Sequence, residues 1–196
     1  MDRIVFNFRN YMKPTHLLLA AVLLLLAGTA PAQDTNALKT TLGVFEAQTG
    51  VVLISGSGFI GSFAAGPAEI SVMIKETTDV DTGGKAYGLA LEITGNQMLR
   101  EKILVDDDEV AALLNGLAYL AKVNADVTSL PVFDASYTTR AGLRIIADSI
   151  RREGGVQFYV KYDVQPRLPL SAVQMTQFTD LIVLARKNLD ALKSAK

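Results

Sequence analysis

The chain has 196 residues, no cysteine, no tryptophan and one histidine, with 19 basic against 20 acidic side chains. Absence of cysteine excludes disulfides, thiol nucleophiles and thiolate metal ligands, and His16 alone makes no histidine cluster for zinc or copper. The near balance of charge disfavours a protein that works by neutralising phosphates, and a hydrophobic share of 49% is far above that of a disordered chain.

Leu17 to Ala27 is an unbroken apolar run of 11 residues. A membrane-spanning helix needs about 20 such residues, whereas the apolar part of an export signal needs roughly 7–15. Gly28 and Thr29 break the run, and Ala30-Pro31-Ala32 supplies the small residues that precede a cut. The expectation is a cleaved signal peptide over residues 1–32 and a periplasmic or extracellular product. Met12-Lys13-Pro14-Thr15-His16 would by itself serve as a short basic leader, which points to Met12 as an alternative start. The first 32 residues carry Arg3, Arg9, Lys13 and Asp2, so the remaining 164 residues hold 16 basic and 19 acidic side chains, a net charge of −3. His16 leaves with the leader, and the product then has no imidazole, the usual general base near neutral pH. No membrane-spanning segment is expected in the mature chain.

Residues 33–196 suit a single domain made of two similar halves, about 50–124 and 132–195. Leu38, Leu42 and Phe45 have helical spacing, with Gly50 as a stop. Val51–Ile54 and Phe59–Phe63 read as two short strands. Ile70, Val72 and Ile74 alternate with Ser71, Met73 and Lys75, and Tyr87, Leu89, Leu91 and Ile93 with Gly88, Ala90 and Glu92, with the turn residues Thr78–Gly84 between them. Glu101, Ile103 and Val105 suggest a further strand, and a helix is expected from Asp106 to about Val123. The order then recurs, with strands at Tyr137–Arg140, Leu143–Ile150 and Val156–Tyr162, a Glu153-Gly154-Gly155 turn, and a helix from Ser171 to about Leu192.

The two helix starts are alike. Val105-Asp106 with Glu109-Val110, and Leu170-Ser171 with Gln174-Met175, each spell a capping box with a hydrophobic staple. The same offset of 65 positions carries Leu113 to Phe178, Leu117 to Ile182 and Leu120 to Ala185, one apolar stripe per helix. The fold class that follows is α+β: antiparallel sheets covered by helices, in pseudo-duplicated strand-strand-strand-helix units, each closed by its helix. This arrangement resembles in topology the Whirly and Pur-type single-stranded DNA binders, which implies a curved sheet with two helices. The resemblance is one of architecture, without a shared motif.

Individual motifs have plain structural readings. Gly56-Ser57-Gly58-Phe59-Ile60-Gly61 fits G-x-G-x-x-G, but Gly66-Pro67 follows too soon for the helix that a dinucleotide site requires. Asp79 and Asp81 start like a calcium loop, yet its twelfth position is Ala90 instead of glutamate. Asp106, Asp107, Asp108 and Glu109 are where a helix dipole favours acids, as Arg186, Lys187 and Lys193 are at a helix end. No catalytic residue, metal ligand or cofactor is therefore assigned. Tyr137, Thr139, Arg140, Tyr159 and Lys161 are the candidates for a ligand-facing sheet surface, with Arg144, Arg151 and Arg152 nearby.

The leading functional expectation is an exported, non-enzymatic domain that binds a protein or envelope component. The first alternative is a single-stranded nucleic-acid or other polyanion binder, disfavoured by net acidity and export. The second is a hydrolase driven by a carboxylate pair, with Asp107 and Asp108 as its testable acids. The apolar stripes are also compatible with a dimer.

Overall fold

The computed structural model describes residues 39–95, 100–149 and 155–195. The backbone separates into two units, Met1–Gln33 and Asp34–Lys196, and every described residue belongs to the second. The expected leader, the Glu153-Gly154 part of the second turn, and Ile150, Arg151 and Arg152 lie outside the described residues.

The order is α1 (Thr41–Glu46), β1 (Leu53–Ala65), β2 (Ala68–Asp79), β3 (Lys85–Thr94), β4 (Arg100–Asp106), a 3-10 turn at Asp107–Glu109, α2 (Val110–Leu120), β5 (Asp134–Thr138), β6 (Leu143–Ser149), β7 (Val156–Tyr162), β8 (Leu168–Leu170) and α3 (Ala172–Ser194). The strands form two antiparallel four-stranded sheets in sequential order, β1-β2-β3-β4 (sheet 1) and β5-β6-β7-β8 (sheet 2). This is the α+β class that the alternating segments predict.

Alternation fixes the register in sheet 1. Val72 pairs with Leu91, which pairs with Ile103; Ile74 pairs with Leu89, which pairs with Val105. Sliding any strand by one residue would turn these side chains out of the core. In sheet 2 the corresponding inward row is Tyr137, Ile145, Val160 and Leu168. Both helical stripes are buried: Val110, Leu113, Leu117 and Leu120 on α2, and Met175, Phe178, Ile182, Ala185 and Leu189 on α3. They join the inner faces of both sheets in one continuous apolar cluster, within which the Phe63 and Phe178 rings lie 5.5 Å apart.

Four expectations need correction. The two short strands around Val51–Ile54 and Phe59–Phe63 are one strand of 13 residues, bent by a bulge between Phe59 and Gly61. A bulge lets the chain bend without ending its ladder, so glycines that look like turns remain within a strand. Each sheet also has four strands instead of three; β8 escapes notice because Pro169 sits at its centre, a residue tolerated there because β8 is an edge. Third, β5 stops at Thr138, and Thr139 and Arg140 belong to the turn that follows. Last, the helices do not close their own halves. α2 packs against β5 and β6 of sheet 2, and α3 packs against β1 and β2 of sheet 1.

The helix starts also differ. At Ser171 the capping box is complete: the hydroxyl accepts from the Gln174 N–H, and the Gln174 side chain accepts from the Ser171 N–H. Asp106 makes no such bond to its own helix. Its two carboxylate oxygens accept from the N–H groups of Thr41 and Leu42, both at 2.8 Å, so it caps α1. Glu109 accepts from the Arg140 N–H at 2.7 Å instead of reaching back to Asp106.

Candidate functional site

The five residues singled out for a ligand-facing surface do not share one face. Tyr137 lies in the inward row, its ring against Gly116 of α2 so closely that a Cβ there would come within 2.6 Å of it. Thr139 is buried, and its hydroxyl accepts from the Leu143 N–H to close the turn. Arg140 is drawn toward the acids before α2: it forks onto Asp108 at 2.7 and 2.9 Å and reaches Asp106 at 3.1 Å. Tyr159 and Lys161 do occupy the outer face of sheet 2. The Arg167 guanidinium stacks over the Tyr159 ring at 5.6 Å and pairs with Asp148 at 2.9 Å, while Arg144 lies 3.7 Å from Asp134. The basic side chains of this face are thus largely balanced by its own acids.

The acidic run before α2 is a knot of ion pairs. Asp107 takes Lys193 and Arg186 from α3, and Asp108 takes Arg140. The Arg140 hydrogen bonds hold the Asp108 carboxyl below its ordinary range, and its acids raise Arg140 in return. Glu109 behaves in the opposite way. Burial pushes its carboxyl up, against the Arg140 N–H and guanidinium, which favour the charged form. A pocket of about 370 Å³ opens beside this knot, lined by Phe45, Lys85, Tyr87, Asp106, Asp107 and Lys193 among others. Its acids already face cations or N–H donors. Among the described residues no group of three or more histidine, cysteine, aspartate or glutamate side chains is arranged to hold a metal ion.

The outer face of sheet 1 has its own buried polar cluster under α1. Lys75 pairs with Glu46 at 2.5 Å, and Thr77 donates to the same carboxylate at 2.8 Å. Burial lowers Lys102, and Lys75 beside it adds to the effect. The Asp79 carboxylate braces the β2–β3 turn, accepting from the Thr82 hydroxyl and from the N–H groups of Asp81 and Thr82. The calcium-loop resemblance thereby has a structural explanation in turn chemistry.

Among the described residues, the least finished surface is the unpaired edge of β1. No charged residue occurs between Glu46 and Glu69, so the whole strand lacks the charges that normally discourage edge-to-edge pairing. Ile54 is 63% exposed and Phe59 67%. The Val80 N–H donates to the Val52 carbonyl, so Val52, and by alternation Ile54, Gly56 and Gly58, turn their backbone groups toward β2. Leu53, Ser55, Ser57 and Phe59 turn theirs outward. Among the described residues the edge is open over this stretch; beyond the bulge, Gln174 donates to the Ala64 carbonyl and Pro169 lies against Gly66.

Above the open stretch, on the side of α3, lies a pocket of about 300 Å³ lined by Gly56, Ser57, Gly58, Ile74, Glu76 and Leu192. The sequence held one signal for this site, the absence of charge along a β-branched and glycine-rich stretch. It was obscured because Gly-Ser alternation carries no hydrophobic period. No protein-family model matches the chain, and no curated protein or solved structure matches it.

Proposed function

We propose that this protein is an exported, non-enzymatic binding domain whose working surface is the open edge of β1, where a partner polypeptide adds a strand to sheet 1. One observation carries the reading: a long, uncharged strand edge with outward-facing backbone groups and a pocket beside it. In strand addition the backbone bonds supply affinity and side-chain pockets supply selectivity. Of the acids before α2, Asp106, Asp107 and Asp108 face cations or N–H donors and Asp108 is kept ionised, while Glu109, whose carboxyl is raised, is buried and accepts from the Arg140 N–H; none of the four is an exposed carboxyl raised for general-acid work, which supports the non-enzymatic part. The balanced outer face of sheet 2 offers little for a polyanion. Among the described residues no helix is long and apolar enough to cross a membrane, which is compatible with release after export.

A photo-crosslinking residue at Ser57, with a second at Lys102 on the charged edge of β4 as control, tests this in living cells. The expected result is a protein adduct in the exported fraction from position 57 and none from 102. Absence of any protein adduct at 57, or an uncleaved chain confined to the cytosol, overturns the proposal.

A further inference from the structure

We infer that the strand added at β1 is β1 of a second copy, paired antiparallel about a two-fold axis at Gly56; this rests on the binding edge proposed above and names its occupant. Gly56 is the first indication. A Cβ added there meets nothing within 4 Å, and its φ is not in the left-handed region, so nothing inside one copy requires glycine. Glycine in a strand interior is otherwise unfavourable. At a two-fold axis Gly56 would face itself. Because its backbone groups point to β2, the facing pair would be of the non-hydrogen-bonded kind, in which Cα atoms approach to about 4.5 Å.

The same axis gives every exposed side chain of the stretch a matching site. Ile54 falls opposite Gly58, and both lie on the face turned to α3. The Ile54 side chain of one copy then enters the pocket over Gly56 and Gly58 of the other. Leu53 falls opposite Phe59 on the outer face, and Ser55 opposite Ser57. Leu53, Ser55, Ser57 and Phe59 carry the outward backbone groups, enough for about eight hydrogen bonds between copies.

Charge is the third argument. Self-pairing about Gly56 sets the residues next to the axis near their own copies, and a charge there would meet its like. The strand carries none, and neither do Leu184, Asn188 and Leu192, the α3 residues beside the open stretch by helical spacing from Leu192, which lines the pocket; Asp180 lies farther along, beside Ser62, and Glu76, which also lines the pocket, pairs with Lys85. α3 lies over β1 and β2, so the strand spacing of about 4.8 Å would bring the two copies of α3 about 10 Å apart, the usual distance for packed helices. An unrelated charged peptide would gain no electrostatic selectivity from such an edge.

The chain contains no cysteine, so one introduced residue reports without interference. In protein purified from the full-length sequence, Gly56→Cys is expected to form a disulfide-linked dimer under mild oxidation, while Phe59→Cys, which faces Leu53, stays mostly unlinked. Unmodified protein is expected at twice the monomer mass by light scattering at tens of micromolar, and Gly56→Lys at the monomer mass with an unchanged circular dichroism spectrum. Unmodified protein that is monomeric throughout, a dimer that survives Gly56→Lys, or equal linking at positions 56 and 59 overturns the inference. A monomer that still crosslinks a different protein from position 57 would sink only this inference and leave the binding edge standing.

Discussion

Sheet 1 and sheet 2 share a strand order but finish their edges differently. Sheet 2 ends in β5, five residues beginning with Asp134, and in β8, three residues with Pro169 at the centre. Short strands, charge and proline are the ordinary means of keeping an edge unpaired. Sheet 1 guards one side in the same way, with Arg100, Glu101 and Lys102 on β4. Its other side is the longest strand among the described residues and carries no charge. One molecule therefore contains both the protection and its omission, which makes β1 informative: the omission is local, and the open stretch is where the exposed apolar side chains and the pocket also lie.

The sharpest way to break this contrast is to ask whether the sheets differ in stability as they do in finish. Phe178 on α3 lies in the cluster shared by both, and Phe178→Ala should cost about 4 kcal/mol. Far-ultraviolet dichroism and the near-ultraviolet tyrosine signal should melt together. Tyrosine signals from sheet 2 that persist after the loss of sheet 1 would divide the core into two. Next comes Asp106→Ala, which takes the acceptors from two α1 N–H groups and one partner from Arg140, and should cost about 3 kcal/mol. Hydrogen exchange should quicken at Thr41 and Leu42 first; uniform quickening in both sheets would show that α1 is no local latch.

Ser171→Ala removes a complete capping box and should cost about 1 kcal/mol in a urea titration. The smallest effect belongs to Asp108→Asn, whose pair with Arg140 is exposed enough that less than about 1 kcal/mol is at stake. Its value lies in the pH dependence. The Asp108 carboxyl is held low, so its contribution is present above the ordinary carboxylate pKa and lost as pH falls through the lowered one. The buried Glu109 carboxyl is raised, so its contribution is present below the ordinary pKa and lost as pH rises through the raised one. Asp108→Asn should flatten the acid limb of a stability–pH curve, and Glu109→Gln the limb above it. Unchanged curves for both would mean that neither acid responds to the fold.

Much of the architecture was legible. β7 alternates along its length, Ile70 and Val72 on β2 and Leu89, Leu91 and Ile93 on β3 keep a period of two, and the two helical stripes at Leu113–Leu117 and Phe178–Ile182 are buried as their spacing requires. What the stripes could not say is which sheet they meet. An apolar face states that it must be covered, and either sheet satisfies that need, so the exchange of helices between halves had no local signal. Asp106 failed for a related reason: a cap sequence offers an acceptor, and the N–H groups of Thr41 and Leu42 took it. The surface residues fared unevenly. Tyr159 and Lys161 follow from alternation along β7, whereas the expected strand Tyr137–Arg140 starts three residues and ends two residues later than β5 does, and the covering of Tyr137 by α2 has no local signal.

The exchange of helices has a consequence for biogenesis. A ribosome delivers the N-terminus first, and the cover of sheet 1 is Ala172–Ser194, nearly the last segment to emerge. Throughout synthesis the inner faces of β1 and β2 therefore wait bare, and a truncated chain ending before residue 172 would hold an unshielded apolar sheet, the kind of intermediate that aggregates or engages chaperones.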